Sequence, residues 1–309
     1  MGVDREPGSA KQFTTFGWQG IRLTVPSTWS LVFTQGNHEA GNIRLADENF
    51  VRLEMRWQPS ARSQAPQAIV DAYLRRLAKK ARKDRLQLSV DRSLNLTSPV
   101  GKDVECYRWT AEQQVLAMLS RCRQCGRIVH LHLIGRPEEP LKGLARTVFA
   151  SLDDHPEGSV MLWKFLDVEF ASPADLPLTD RSLQAGCIRM AFGRRLLRLE
   201  FARVSLAEVL LARKGLAQWF TEFYKKQLRR RRFEIQEVPV RGHQGIAVTG
   251  RAWLLVNPSR LLGRPRILRA ACWHCDETNR IFICSFDGSA GAAPMFPQAL
   301  AGFTCCARA

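Results

Sequence analysis

An internal match limits what this chain can become more than any other feature of it. Ala40-Gly41-Asn42-Ile43-Arg44-Leu45-Ala46 returns as Ala185-Gly186-Cys187-Ile188-Arg189-Met190-Ala191, at an offset of 145 (185 − 40). Arg52-Leu53-Glu54-Met55 returns as Arg198-Leu199-Glu200-Phe201, at 146 (198 − 52). The later segments keep the same order: a basic helix, a strand, a strand carrying a Trp (Tyr107-Arg108-Trp109 against Arg251-Ala252-Trp253), then a Cys-x-x-Cys pair at 150 (272 − 122). Arg127-Ile128 and Arg280-Ile281 open the strands that follow. Self-similarity of this kind argues for one unit used twice. The expected organisation is a flexible leader over 1–12, a first unit over 13–155 and a second over 156–309. The 309 residues give each unit enough chain to bury its own core.

Within a unit the hydrophobic periods alternate. Gly20–Val25 and Val51–Trp57 alternate apolar and polar residues, as half-buried strands do. Pro66 leads into a helix with an apolar stripe of Ile69, Val70, Tyr73, Leu74, Leu77 and Ala81, which Asp84 closes. Leu216, Trp219, Phe220, Phe223, Tyr224 and Leu228 form the corresponding stripe in the second unit. Strands are predicted at Leu86–Val90, Val104–Trp109, Val115–Ser120 and Ile128–Leu133, then a helix at Leu141–Leu152 and a polar linker at Asp153–Gly158. The expected fold class is α+β: two diverged tandem repeats, each a mainly antiparallel sheet covered by helices.

The opening strand, the turn Pro26-Ser27-Thr28-Trp29, a further strand and then a helix over an antiparallel sheet resemble the Mog1/PsbP type of α/β/α domain. The resemblance covers the first unit. The second has Ser172-Pro173-Ala174-Asp175 and no Trp at that point. It implies a partner-binding module and carries no catalytic residues across.

Cysteine placement is the sharpest chemical signal. Cys122-Arg123-Gln124-Cys125-Gly126 has the form of a zinc knuckle, in which a tight turn brings two thiolates together. In Cys272-Trp273-His274-Cys275-Asp276 an Asp replaces the Gly, and the turn could instead lie at Asp276–Asn279. One structural zinc held by Cys122, Cys125, Cys272 and Cys275 is expected if the two pairs meet. His274 is a substitute ligand. Redox dithiols and inert buried thiols are the alternatives. Cys187 and Cys284 read as core positions, and Cys305-Cys306 as adjacent thiols poorly placed to share one ion. His130 and His132 share a strand face, which reads as a polar sheet face before it reads as a metal site. Nine cysteines without an apolar secretory leader fit a reducing compartment, so the expected location is the cytoplasm.

Charge supplies the partner expectation. The chain carries 46 Lys+Arg against 29 Asp+Glu, net +17. Arg75, Arg76, Lys79, Lys80 and Lys83 fill the face of the first helix away from its apolar stripe, with Lys225, Lys226, Arg229, Arg230, Arg231 and Arg232 on the second. Arg forks match phosphate and carboxylate, so nucleic acid or an acidic protein surface is the expected partner. Helix-end cations also answer the macrodipole and solvation, which is the plainer explanation. No phosphate-binding loop, nucleophile elbow or His-Glu-x-x-His is present, and no run approaches membrane-spanning length. The expectation is a non-enzymatic basic binding protein. The alternatives are a protein-interaction scaffold using exposed aromatics such as Trp57, and a thiol-disulfide oxidoreductase.

Overall fold

The computed structural model describes residues 12–60, 65–96, 98–155, 158–229, 231–252 and 266–306. The chain divides into two compact units, Met1–His155 with Lys164–Leu166, and Pro156–Trp163 with Asp167–Ala309. The first runs β1 (Phe13–Trp18), β2 (Ile21–Pro26), β3 (Ser30–Gly36), β4 (Gly41–Ala46), β5 (Val51–Gln58), α1 (Pro66–Lys83), β6 (Ser89–Asp91), β7 (Lys102–Thr110), β8 (Gln114–Cys122), β9 (Ile128–Gly135) and α2 (Leu141–Ala150). From β10 (Val160–Phe165) the chain continues through β11 (Val168–Pro173), β12 (Leu178–Gln184), β13 (Cys187–Arg194), β14 (Leu197–Ser205) and α3 (Ala207–Leu211). It ends with α4 (Leu216–Phe223), α5 (Lys225–Leu228), β15 (Arg231–Val240), β16 (His243–Ala252), β17 (Arg266–Cys275), β18 (Arg280–Ser289) and α6 (Met295–Ala301).

Each unit is built on one seven-stranded antiparallel sheet. The orders are β3-β4-β5-β9-β8-β7-β6 and β12-β13-β14-β18-β17-β16-β15, the same path when each is counted from its first strand. The class differs from the α+β expectation. The protein is mostly antiparallel β, and apart from the 18-residue α1 its described helices have ten residues or fewer. The stripe over Leu216–Leu228 does not make one long helix: it breaks at Tyr224, whose φ of −98° and ψ of 17° leave the α region. The helices therefore cover only parts of the sheets, α1 lying over one region of the first.

Pro66 starts α1, where its missing N–H costs nothing. Ile69, Val70, Tyr73 and Leu74 pack on Tyr107, Val115, Ala117, Leu119 and Ile128 of the sheet. Arg85 turns left-handed (φ 56°), and the Leu86 N–H donates to the Ala81 carbonyl at 2.9 Å, closing the helix end. In the second unit α4 and α5 lay Trp219, Phe220, Tyr224 and Leu228 on Ile246, Val248, Leu268, Ala270, Cys272 and Ile283. The opposite face of that sheet holds an aromatic core, with Phe170 stacked on Phe201 at 4.0 Å and Phe303 edge-on to Phe201, Trp273 and Phe282.

Two surface expectations are corrected by burial. Trp57 is 2% exposed and its Nε1 donates to the Asn37 carbonyl at 2.9 Å, so it is core and not a docking aromatic. His130 and His132 do share a face, but α1 covers it. Tyr107 Oη lies 2.6 Å from His130 Nε2, the two His Nε2 atoms are 3.0 Å apart, and the Tyr73 ring meets His130 edge-on. The second unit has a different polar centre under its helix. Glu200, 2% exposed, accepts from Arg189 (2.9 Å), Arg198 (2.8 Å) and the Tyr224 hydroxyl (2.7 Å). Removing that hydroxyl in Tyr224→Phe is expected to cost about 1.5–3 kcal/mol, the loss of one buried hydrogen bond to a carboxylate. Thermal melts of both proteins check this, and equal stability would mean that the bond contributes nothing net.

Candidate metal centres

Strand parity decides what the two Cys-x-x-Cys pairs can do. Alternate residues of a strand face opposite ways, so two residues three apart point to opposite faces. Cys272 and Cys275 both lie within β17, which continues in register with β18 to the Cys275–Arg280 pair. The turn is therefore Asp276–Asn279, and the second pair is no knuckle. Cys272 points into the core under α4, where burial holds its thiol well above the ordinary value. His274 sets its Nδ1 3.2 Å from an Asp276 carboxylate oxygen.

Cys122, by contrast, ends β8, and Cys125 lies in the turn that follows. That turn is closed by Cys122 N–H to Arg127 carbonyl (2.9 Å) and Gly126 N–H to Cys122 carbonyl (3.0 Å), with Gly126 at φ 75°. Most side chains there would be strained, which favours Gly. The thiols of Cys122 and Cys125 converge, and Asp154 and His155 join them: one donor atom from each lies within 4.8 Å of the others. Cys122 Sγ is 2.9 Å from His155 Nε2. Burial pushes the Cys122 thiol up, but the Cys125 backbone N–H, the His155 ring and the Gln124 backbone N–H outweigh it and leave it below its ordinary value. Burial, with the neighbouring Cys122, raises Cys125. Lys102 forms an ion pair with Asp154 beside the group, at 5% and 1% side-chain exposure. Asp153 is no linker residue either, since it pairs with Arg22 through backbone and side chain.

A second group lies in the other unit. His243, Cys275, Cys305 and Cys306 also offer one donor atom each within 4.8 Å of one another. Cys306 Sγ stands 3.3 Å from His243 Nε2 and 3.8 Å from Cys305 Sγ. The adjacent thiols do converge, where the chain bends at Cys306 just after the Thr304–Glu169 bridge. The four expected zinc ligands thus fall into three environments: Cys122 with Cys125, Cys275 with a different set, and Cys272 in apolar core. Asp154, His155, His243, Cys305 and Cys306 were not among the expected ligands, yet each brings a donor atom to one of the two groups. A legible hint existed, because both missed pairs follow the short last helix of their unit.

The basic residues divide as well. Arg75, Arg76, Lys79, Lys80 and Lys83 are all exposed along α1, and among the described residues none makes an ion pair. Lys225, Lys226, Arg229 and Arg232 are exposed. Arg231 instead starts β15 and pairs with Asp287 at 2.5 Å, while Arg230 lies outside the described residues. Arg229 therefore stands at a helix end, while Arg231 and Arg232 lie in a strand.

No protein-family model matches the chain, and no curated protein sequence does. Among solved structures it is similar to the cyanobacterial PsbP of Synechocystis sp. PCC 6803, at 14% identity and TM-score 0.36, over 50% of this chain and 99% of that one. It is also similar to the type VI secretion immunity protein TplEi of Pseudomonas aeruginosa, at 10% identity and TM-score 0.36, over 94% of this chain and 95% of that one. TplEi in complex with an "L" peptide matches at the same identity and TM-score, over 95% and 98%. Likeness at this level decides neither partner nor activity. Among the described residues no helix is long and apolar enough to cross a membrane.

Proposed function

We propose that this chain is a non-enzymatic basic binding protein that contacts a polyanion, either a nucleic-acid backbone or an acidic protein surface, chiefly through the outer face of α1. The observation that carries this reading is the row Arg75, Arg76, Lys79, Lys80 and Lys83, exposed and without acidic partners among the described residues. At 1.5 Å per residue the row is about 12 Å long, enough to meet several phosphates. Lys225, Lys226, Arg229 and Arg232 supply a second, shorter cluster. A structural zinc bracing the fold belongs to the same reading, and thiol and imidazole donors gathered within ligand reach support it.

The test is anisotropy of a labelled random-sequence duplex, titrated with the full chain across a salt series. Binding is expected at low salt and should weaken steeply as salt rises, because phosphate contacts release counterions. Replacing Arg75, Arg76, Lys79 and Lys80 together by Gln should lower the log–log salt slope by about 3 to 4. No binding at low salt to the duplex, to single strands or to a polyglutamate chain would end the proposal. Capture of a protein that survives high salt and nuclease would replace it with the scaffold alternative.

A further inference from the structure

The two candidate centres occupy the same place in their sheets. Cys122 and Cys275 each end a strand one residue before a four-residue turn, Arg123–Gly126 and Asp276–Asn279, and Arg127 and Arg280 stand across from them. The turns match at their last residue too, Gly126 and Asn279 both having positive φ. Cys122 pairs on its other side with Lys102, the first residue of β7. His243, the first residue of β16, falls across from Cys275, two residues before Gly245, which pairs with Trp273. After the last helix of each unit, Asp153 and Thr304 make matching bridges, to Arg22 and Glu169. Asp154 thus answers to Cys305, and His155 to Cys306. The offset between corresponding cysteines is 153 (275 − 122), not the 150 that the two motifs suggest, because Cys272 has no counterpart in the first centre.

At this shared position the units carry different chemistry. The first has the ion pair Lys102–Asp154, buried beside Cys122 and His155. In the second, His243 replaces the ammonium, Cys305 replaces the carboxylate and Cys306 replaces the imidazole. Three thiols and one imidazole are a complete ligand set for a borderline-soft divalent ion. With ordinary zinc bond lengths, a tetrahedron has edges of about 3.8 Å between sulfurs and about 3.5 Å between sulfur and nitrogen. The Cys305–Cys306 and Cys306–His243 separations of 3.8 and 3.3 Å match those edges. Cys275 and Cys305 are buried and the other two ligands half-buried, so all four positions are filled by protein and no open position remains for substrate.

We infer that His243, Cys275, Cys305 and Cys306 form a structural zinc site, and that the first unit closes the same junction with the Lys102–Asp154 ion pair instead of a metal. The zinc joins the start of β16, the end of β17 and the segment after α6. That segment delivers Phe303, which is fully buried among Phe170, Phe201, Trp273 and Phe282. In the first centre the Lys102 ammonium already neutralises the carboxylate that an ion would need, and its charge repels a dication. The inference rests on the zinc brace proposed above and commits it to one site.

The experiment is elemental analysis of the full chain, purified without chelator or affinity metal, followed by alkylation mapping by mass spectrometry. One zinc per chain is expected, with Cys275, Cys305 and Cys306 unreactive to iodoacetamide until a chelator is added. Cys125, which is exposed, should react either way. Zinc should persist in a Cys122→Ser/Cys125→Ser/His155→Ala variant and be lost in Cys306→Ser. If a site variant does not fold, cobalt(II) titrated into the chelated parent chain should give the thiolate charge-transfer and d–d bands of a sulfur-rich tetrahedral site. Zinc that disappears with the Cys122 set and survives Cys306→Ser would leave the brace standing and overturn the assignment. A folded, reduced chain that takes up neither zinc nor cobalt would overturn both.

Discussion

Acidifying the protein from pH 6.5 to about 4 is expected to remove about 3 kcal/mol of stability from the first unit through His132 alone. Burial under α1, and then the Arg56 cation, lower His132 from 6.5 to about 4. Burial, His132 and Arg56 lower His130 in the same direction. The rings are held neutral against Tyr107 and Tyr73, with Glu54 and Arg56 of β5 paired beside them on the sheet. In the unfolded chain each His takes a proton as pH falls through 6.5, whereas in the folded chain it does not. The unfolded state therefore binds more protons and gains on the folded one, until His132 also titrates near 4 in the folded chain. Urea unfolding at several pH values, read by hydrogen exchange in α1 and β9, gives the slope. Between pH 6.5 and 5, before most carboxylates titrate, a His130→Leu/His132→Leu variant should show a much flatter curve. Parallel curves for parent and variant would show that the rings are not the source.

Unpairing Lys102 and Asp154 should be as damaging at neutral pH. Both side chains are nearly out of contact with water, at 5% and 1% exposure, so neither ion can recover its hydration if the other is removed. Lys102→Met should cost about 3–5 kcal/mol, the usual penalty for stranding one member of a buried pair. Replacing both, with Asp154→Leu added, should restore much of the loss, because an apolar pair needs no hydration. Denaturation midpoints of the two single variants and the double variant check this. Additive losses would mean that the two charges do not depend on one another, and the junction would then need another explanation. The matching change in the second unit is zinc removal, so chelation should loosen Phe303 and leave the first unit untouched.

Much of the sheet framework is legible because it rests on local period. The alternation of Val51–Trp57 and the Pro66 start of α1 appear in the sequence as they do in the fold, and Asp84 sits at the end of that helix. In the first unit β1, β3 and β4 are missed, and the strand expected over Leu86–Val90 is only Ser89–Asp91. The helix expected over Leu216–Leu228 fails because a continuous apolar stripe does not report the backbone break at Tyr224. The α+β expectation fails with it, since only the first stripe makes a long helix and the described residues are mostly antiparallel strand. Trp57 and the His130–His132 pair are misread for a related reason: a strand pattern shows which residues share a face, but not what covers that face.

The metal centres divide along the same line. Thiol content, the Cys-x-x-Cys spacing and the strong positive charge are properties of composition and local order, legible without any coordinates. Which thiols meet is decided by register. One residue of ladder placement, set by where β17 hands over to its turn, puts Cys272 in apolar core and Cys275 on the opposite face beside His243. The remaining donors arrive from the ends of the units, through bridges at Asp153 and Thr304 between segments more than 130 residues apart. Side-chain period is a property of neighbours in the chain, so sequence determines it. Convergence of four donor atoms is a property of how distant strands are paired, and only the tertiary structure decides that.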